Sequence, residues 1–432
     1  MSKNTKVSFL FLFVGIISFI FADFSISTLE PFLELKKFSF AIFQIDFSQT
    51  TKLFPALFNT ISIAILAMFF ATIFGFLLAL AFENFFVRIS LAFTRAIHEL
   101  FWALIFLQIF GLNTLTALLA ITIPYSAILA KVYAEILQEH DNFPKELKGK
   151  SKVSYYLYTK IPDALPHLIS YTFYRFECAL RSTAILGFVG ITTLGYYLSS
   201  SFMQGYYNEV WLLLILFYIV IATIRFWLTK YSVGFIVLAS FFYLEEFPSI
   251  KIDNFIRFIT SDIIPHPIRT NAGYEKTFEW FSNIFTNEIL IGVFNTILLT
   301  QIALVLTAIL ALISFPFISL KFTNKFGRAI AHMFLVVLRS TPEYIIAYIF
   351  LQMFGPSMLP AALALMLHNG AIIAFLMGQQ TNELNLRQDV TKKKNELYFY
   401  EVLPRIYSQF LAFLFYRWEI IMRESAILGI LG

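Results

Sequence analysis

Two similar stretches of the chain place charged and hydroxyl side chains in apolar surroundings. YRFECALRSTAILG runs from Tyr174 to Gly187, YRWEIIMRESAILG runs from Tyr416 to Gly429, and eight of the fourteen positions are identical without a gap. Charged groups deep in a bilayer are costly and usually face a bundle interior or a water-filled cavity. Each stretch therefore predicts one polar, pathway-lining segment. The candidate pathway residues are Arg175, Glu177, Arg181, Ser182, Thr183, Arg417, Glu419, Arg423, Glu424 and Ser425.

The charges in each stretch are spaced to interact on a helix. Glu177 precedes Arg181 by four residues and Glu419 precedes Arg423 by four, which is the favourable order for a helical ion pair. Two arginines that face a common pathway would favour an anion, although the two glutamates partly cancel this field. The alternative is that the paired charges only satisfy each other or fix helix contacts.

A second pair of charges recurs with the same spacing, as Arg95–Glu99 and Arg339–Glu343. These pairs lie near predicted span ends, and a structural role is favoured for them. The six histidines show no metal-ligand spacing, and the single cysteine, Cys178, excludes a disulfide scaffold or a cysteine-based metal site. We therefore predict no catalytic residue, no metal site and no cofactor in this chain.

The composition predicts an all-α polytopic membrane protein. Of the 432 residues, 59% are hydrophobic and 14% are charged, and the mean hydropathy is +0.74. A spanning helix needs about 20 apolar residues. The predicted spans are 8–24, 54–83, 92–112, 113–133, 164–198, 208–229, 232–247, 289–318, 329–352, 356–377 and 405–431. The first resembles a signal peptide but is rather long and lacks a small-residue cleavage site, so we interpret it as a span. The span 164–198 is expected to break or bend at Gly187, Gly190 or Gly195.

Lysines and arginines predict the orientation of the chain. Those near the N-terminus and those in segments 84–95, 134–163, 225–231, 319–328 and 378–405 fall on one side if the spans alternate. The positive-inside rule places that side in the cytoplasm. Segments 25–52 and 248–287 are then expected outside.

Several blocks recur in the same order and predict two parallel, pseudo-symmetric repeats of about six transmembrane helices each. FNTI at 58–61 recurs at 294–297, the block that begins at Arg95 recurs from Arg339, and Ile161-Pro162 recurs as Leu403-Pro404. The predicted domains are 1–231 and 232–432, and the second is expected to lack its last helix. Both repeats carry a long polar loop on the predicted cytoplasmic side, which favours docking to a soluble partner.

The chain resembles the membrane permeases of ABC importers, and within them the phosphonate/phosphite/phosphate type. Permeases of this kind carry a coupling loop with the pattern E-A-A-x-x-x-G and a Pro thirteen residues after that Gly, and Gly149 and Pro162 match this spacing. The segment from Ser170 to Gly195 looks like the phosphonate-type signature, and so does the second copy. The first loop departs at its E-A-A position, where Glu146 is displaced, and the second has Thr391 in place of Gly.

The resemblance implies an importer of phosphonate or a related phosphorus oxyanion, with two permease domains fused in one chain. The coupling-loop residues would be Glu146, Gly149, Pro162, Thr391 and Pro404. The implied partners are two cytoplasmic ABC ATPase subunits, which bind the ATP, and a periplasmic substrate-binding protein. No nucleic-acid partner is expected, and the implied location is the bacterial inner (plasma) membrane, with a cytoplasmic N-terminus. No G-x-x-x-x-G-K-[ST] loop occurs in this chain, in agreement with ATP binding elsewhere.

Two alternatives stay open. A permease of another ABC importer subtype, for amino acids or vitamin precursors, would differ mainly in the YR-[FW]-E signature. A secondary transporter with two parallel repeats would not need matched cytoplasmic loops within each half. An enzyme is disfavoured because no nucleophile–base set stands out.

Overall fold

The computed structural model describes residues 3–28, 30–47, 50–140, 152–244, 252–387 and 393–429, and every regular element in these ranges is a helix. This confirms the prediction of an all-α polytopic membrane protein. The first half contains α1 (Lys3–Phe21), α2 (Pro31–Ala41), α3 (Thr50–Leu80), α4 (Phe85–Ala96), α5 (Glu99–Phe110), α6 (Thr114–Glu139), α7 (Lys152–Tyr155), α8 (Ile161–Leu186), α9 (Leu194–Met203) and α10 (Tyr207–Trp227). The second half contains α11 (Val233–Tyr243), α12 (Ile252–Arg257), α13 (His266–Arg269), α14 (Tyr274–Ile284), α15 (Leu290–Ile318), α16 (Lys325–Ser340), α17 (Glu343–Phe354), α18 (Met358–Glu383), α19 (Lys394–Glu396) and α20 (Leu403–Leu428). Short π-helical turns adjoin these helices at Tyr156–Lys160, Phe258–Asp262, Phe285–Ile289 and Leu397–Val402.

The prediction of eleven spans was wrong. In the described residues, six helices are long and apolar enough to cross a membrane, or up to nine if each of three bent pairs is one span. Two of the bent pairs, α4 with α5 and α16 with α17, turn by 92°. The predicted span 232–247 contains only the short helix α11 among the described residues. Helix α20 is not among the nine candidate spans, because its charged residues lower its hydropathy.

The chain forms two compact units. The central unit is Phe40–Arg269, and the terminal unit combines Met1–Ser39 with Thr270–Gly432. These bounds differ from those of the predicted repeats, because α1 packs against α15 in the terminal unit and α11 packs against α3 in the central unit. The division into repeats at 231/232 stays a prediction about the sequence.

The core of the central unit is the contact between α3 and α6, where small residues let the helices approach closely. Ala67 and Ala71 on α3 and Ala120 on α6 are fully buried. A Cβ added at Gly75 would lie 2.8 Å from the Cβ of Leu129. Such close packing fixes the positions from which α6 presents its polar side chains.

The terminal unit is built in the same way around α15 and α18. A Cβ at Gly370 would lie 2.8 Å from Leu310, and one at Gly378 would lie 2.5 Å from Ile318. The N-terminal helix α1 joins this unit, where Gly15 packs against Val305 and Phe11 lies 5.2 Å from the ring of Phe415.

The break expected in span 164–198 is confirmed. Helix α8 ends at Leu186, a 3₁₀ turn covers Gly187–Val189, and α9 begins at Leu194 at an angle of 52°. Gly190 has a φ of +100°, a left-handed conformation that favours glycine. Gly187 and Gly195 meet here so closely that a Cβ on either would clash with backbone atoms.

Candidate functional site

In the central unit, four buried polar residues from three helices form what we term the central cluster: His98, Glu99, Tyr125 and Ser182. The sharp turn between α4 and α5 places His98 as the N-cap of α5, where its Nδ1 accepts a hydrogen bond from the Leu100 N–H at 3.1 Å. Glu99 is the first residue of α5, where the helix dipole favours a carboxylate. The Nε2 of His98 lies 3.3 Å from Oε2 of Glu99.

Hydrogen bonds link the central cluster in one direction. The Ser182 hydroxyl donates to Oε1 of Glu99 at 2.6 Å, and the Tyr125 hydroxyl lies 2.9 Å from the Ser182 oxygen. Because a serine hydroxyl has one proton, Tyr125 acts as the donor to Ser182. The cluster therefore joins α5, α6 and α8 through a relay that ends on the Glu99 carboxylate.

The terminal unit contains a related group, the terminal cluster: Glu343, His368, Asn369, Arg417 and Glu424. Glu343, His368, Asn369 and Glu424 are buried. The Asn369 amide donates to Oε2 of Glu424 at 3.0 Å and accepts from Nη1 of Arg417 at 3.3 Å. His368 lies with Nδ1 3.0 Å from the Thr341 carbonyl and Nε2 4.0 Å from Oε2 of Glu343.

The two clusters occupy matching positions of equal helices. Helices α5 and α17 have 12 residues each, α6 and α18 have 26 each, and α8 and α20 have 26 each. With the offsets of the sequence blocks, Glu99 matches Glu343, Tyr125 matches Asn369 and Ser182 matches Glu424. The histidines do not match each other: His98 corresponds to Pro342, and His368 corresponds to Pro124. Each unit thus sets a buried histidine beside its glutamate, but from a different helix position.

Three of the predicted pathway residues belong to these clusters, namely Ser182, Arg417 and Glu424. Arg175 instead donates to the Tyr171 hydroxyl at 2.7 Å and lies over the rings of Tyr171 and Tyr174. An Nη atom of the half-buried Arg181 lies 3.2 Å from the Cys178 sulfur.

The remaining predicted pathway residues lie elsewhere on α8 and α20. Thr183 and Ser425 donate to carbonyls of their own helices. Arg423 and Glu177 are half-buried, and Glu419 is exposed. Whether any of these residues contacts a substrate stays a prediction.

The coupling-loop prediction falls only partly on described residues. Glu146, Gly149 and Thr391 lie outside them. Pro162 and Pro404 both occupy the second position of a helix, α8 and α20, and both helices follow a π-helical turn. The helical backbone continues from each π-helical turn into the α-helix, so each proline interrupts the backbone hydrogen bonding, because proline has no N–H to donate.

Charged residues cluster near the second of these loops. Glu401 is buried and pairs with Arg405 at 2.6 Å and with Arg387 at 3.9 Å. The Lys321 ammonium donates to the Leu384 carbonyl. Burial and the nearby Arg405 lower the pKa of Lys321, against the opposing effect of Glu401. In the same unit, a cavity of about 650 Å³ between α16 and α18 is lined by Lys325, Arg328, His332, Asn382 and Glu383, among others.

Sequence reasoning missed His98, Tyr125, His368 and Asn369 as site residues. Spacing along one helix cannot reveal them, because these clusters join helices that are far apart in the chain. One signal was available: each is a polar or titratable residue within or at the end of an apolar run. The repeat alignment also shows Glu99 and Glu343 at one shared position.

Comparison with known proteins relates the chain to transport permeases. It is 28% identical over 204 residues, 44% of this chain and 72% of the relative, to a putative phosphite transport system permease protein of Stutzerimonas stutzeri. It is 30% identical over 117 residues, 26% of this chain and 22% of the relative, to a phosphate-import permease protein of Mycolicibacterium smegmatis. It is 29% identical over 112 residues, 25% of this chain and 92% of the relative, to a putative cryptic phosphonate transport system permease protein of Escherichia coli.

No family model matches the chain, and no solved structure matches it. Each of the three matches covers less than half of this chain, as expected if the chain holds two permease domains. By sequence, the chain is a relative of the permease subunits of phosphite, phosphonate and phosphate transport systems.

Proposed function

We propose that the chain is the membrane permease subunit of an ATP-driven importer for a phosphorus oxyanion. The observation that carries the proposal is the set of relatives, which are named as permeases for phosphite, phosphate or phosphonate. The structure supports a permease because it combines membrane-length helices with buried polar clusters on α5, α6, α8, α17, α18 and α20.

The energy source and the partners follow from this proposal. The chain has no phosphate-binding loop of its own, so ATP hydrolysis belongs to separate subunits, two per complex, that dock on the loops before α8 and α20. A substrate-binding protein delivers the oxyanion to the opposite face. The protein lies in the bacterial inner membrane with its N-terminus in the cytoplasm, as the distribution of lysines and arginines predicts.

The arginines of α8 and α20 suit this substrate. Arg181 and Arg423 are half-buried on helices that also carry the polar clusters. A guanidinium matches a phosphorus oxyanion in charge and in hydrogen-bond geometry. We assign the substrate pathway to this part of each unit.

ATP hydrolysis in liposomes tests the proposal. The chain would be reconstituted with the ATPase subunits and the binding protein encoded beside its gene, and the binding protein would be loaded with phosphite, phosphate or a phosphonate. Stimulation by one loaded form, but not by the empty binding protein, is the expected result. If ATPase subunits bind but hydrolysis responds only to a different ligand class, the substrate assignment is wrong. If no ATPase subunit binds, the importer assignment is wrong.

A further inference from the structure

The terminal cluster contains a set of side chains that can coordinate a metal ion. Glu343, His368 and Glu424 are all buried, and their ligand atoms lie within 4.8 Å of one another. They come from three helices, α17, α18 and α20. Two carboxylate oxygens and one imidazole nitrogen are ligands that zinc and related divalent transition metals accept.

The histidine is oriented as in a metal site. Nδ1 of His368 lies 3.0 Å from the carbonyl oxygen of Thr341, which can only accept, so Nδ1 carries a proton. In the neutral tautomer that keeps this Nδ1 proton, the Nε2 lone pair faces Glu343, at 4.0 Å from Oε2. Histidines that bind metals commonly donate their other ring N–H to a backbone carbonyl in this way.

The central unit shows the opposite arrangement. Nδ1 of His98 accepts from the Leu100 N–H, so Nε2 of the neutral ring carries the proton and faces Glu99 as a donor. A protonated Nε2 cannot bind a metal. The two histidines therefore adopt opposite tautomers. His98 hydrogen-bonds Glu99 in the central unit, whereas His368 and Glu343 can act as metal ligands in the terminal unit.

The third ligand, Glu424, is also supported from outside the set. The Asn369 amide donates to its Oε2 at 3.0 Å, and Arg417 in turn donates to the Asn369 oxygen at 3.3 Å. Contacts of this kind fix the direction of a ligating carboxylate. In the central unit the residue that matches Glu424 is Ser182. Its hydroxyl donates a hydrogen bond to Glu99 and offers no carboxylate ligand.

We propose that Glu343, His368 and Glu424 bind one divalent transition-metal ion, with Zn²⁺ as the best fit. Ligand atoms that share a zinc ion at about 2.0–2.2 Å lie roughly 3.5 Å apart, so the side chains need to close by about 1 Å. The ion would link α17, α18 and α20 in the terminal unit. In the central unit, the Tyr125–Ser182–Glu99 hydrogen bonds link the matching helices α5, α6 and α8. Three protein ligands would leave the fourth position of a tetrahedral zinc site to water or to an anion. The proposal does not depend on the transport assignment.

The test is metal binding by the full chain, purified in detergent and stripped with a chelator. Co²⁺ replaces Zn²⁺ as a probe because its visible absorption reports the geometry and number of its ligands. Elemental analysis after Zn²⁺ loading and gel filtration gives the number of ions per chain. The expected result is one ion per chain and a Co²⁺ spectrum of low coordination number.

Two variants and a control identify the site. Glu424→Ser installs the residue that stands at the matching position of the central unit, and His368→Gln removes the nitrogen ligand. Each is expected to weaken Co²⁺ binding by roughly 100-fold or more, since even changes outside the ligand set cost about 10–100-fold. His98→Gln, the buried histidine of the other cluster, is expected to bind like the unmodified chain.

The outcomes decide the proposal even if a variant does not fold. An unmodified chain that takes up no Co²⁺ or Zn²⁺ overturns it without any variant. Equal metal binding by the unmodified chain, Glu424→Ser and His368→Gln also overturns it, because the metal then lies elsewhere. Loss of the Co²⁺ spectrum in both variants, with retention in His98→Gln and unchanged gel-filtration profiles, supports it.

Discussion

At the scale of single residues, the two units use the same glutamate position in different chemical settings. Glu99 accepts from a serine hydroxyl, whereas Glu343 lies near a second carboxylate and an imidazole. Both glutamates begin a helix immediately after a sharp turn, so the turn fixes where the carboxylate points. Burial makes these contacts important, because a buried polar group that loses its partner pays its full desolvation cost.

The hydroxyl of Ser182 is predicted to stabilise the central unit. Ser182→Ala leaves the Tyr125 hydroxyl and one oxygen of Glu99 without this bridge, at a cost of about 1–3 kcal/mol. The melting temperature in detergent should fall. Ser200→Ala serves as the control, because the Ser200 hydroxyl accepts an exposed hydrogen bond from Gln204. Equal melting temperatures for the two variants would contradict the relay.

The arginines of the repeated stretches are predicted to act in transport rather than in assembly. Arg181→Ala and Arg423→Ala each remove a half-buried cation that would attract an oxyanion. Uptake should drop while the ATPase subunits still copurify with the chain. Loss of expression or of copurification in both variants would show a structural role instead.

At the scale of elements, the break between α8 and α9 is held by close backbone packing. A Cβ at Gly195 would lie 1.9 Å from the Ala184 carbonyl oxygen, and one at Gly187 would lie 2.1 Å from the Tyr196 nitrogen. Because both neighbours are backbone atoms, a side chain cannot be accommodated by a rotamer change. The glycines therefore set the angle at which α9 leaves α8.

Gly195→Ala is predicted to destabilise the protein. Forcing a methyl group into this contact costs about 1–3 kcal/mol, as overpacking does elsewhere. The matched control is Gly292→Ala on α15, where no atom lies within 4 Å of the added Cβ and the helix gains about 0.5–1 kcal/mol. Thermal unfolding in detergent compares them, and a Gly195→Ala protein as stable as the control would show that the break tolerates a side chain.

Hydropathy alone predicted most helices but not the two right-angle turns. The runs 92–112 and 329–352 are mostly apolar, so composition predicts each as one span. The turns come from local chemistry: His98 caps α5 with its ring, and Thr341 precedes Pro342, which disfavours helix at that residue. The glycine-rich break after Leu186 was predictable because glycine at membrane depth is a local signal.

The site was also predictable only in part, because contacts between helices that are distant in the chain are not visible in the sequence. The repeated stretch identified Ser182, Arg417 and Glu424, since internal repetition is visible in one sequence. Their partners on α6 and α18, Tyr125 and Asn369, lie at matching positions but are different residue types. Each histidine also matches a proline in the other repeat. Only packing brings these residues together.

At the scale of the whole molecule, helices from both predicted repeats enter each compact unit. In the terminal unit, Ser8 of α1 lies 2.6 Å from the hydroxyl of Tyr407 on α20. In the central unit, the Tyr243 hydroxyl of α11 donates to the Pro55 carbonyl at 3.2 Å. Both units therefore contain segments that are distant in sequence.

The orientation of the chain in the membrane is predicted from its basic residues. In a Cys178→Ala background, Arg88→Cys should be labelled only from the cytoplasmic side and Ser25→Cys only from outside, because the membrane-length helix α3 lies between these two exposed residues. Membrane-impermeant maleimide on intact cells and on inverted vesicles distinguishes the two. Labelling of both positions from the same side would contradict the predicted topology.

Uptake into vesicles tests the central claim most directly. Liposomes that hold the chain and its ATPase subunits, with ATP inside, would be given the binding protein outside together with radiolabelled phosphate, phosphite or a phosphonate in separate runs. The account predicts ATP-dependent accumulation of at least one of the three labelled substrates. Accumulation that proceeds without ATP, or no accumulation of any of the three with all subunits assembled, would contradict it.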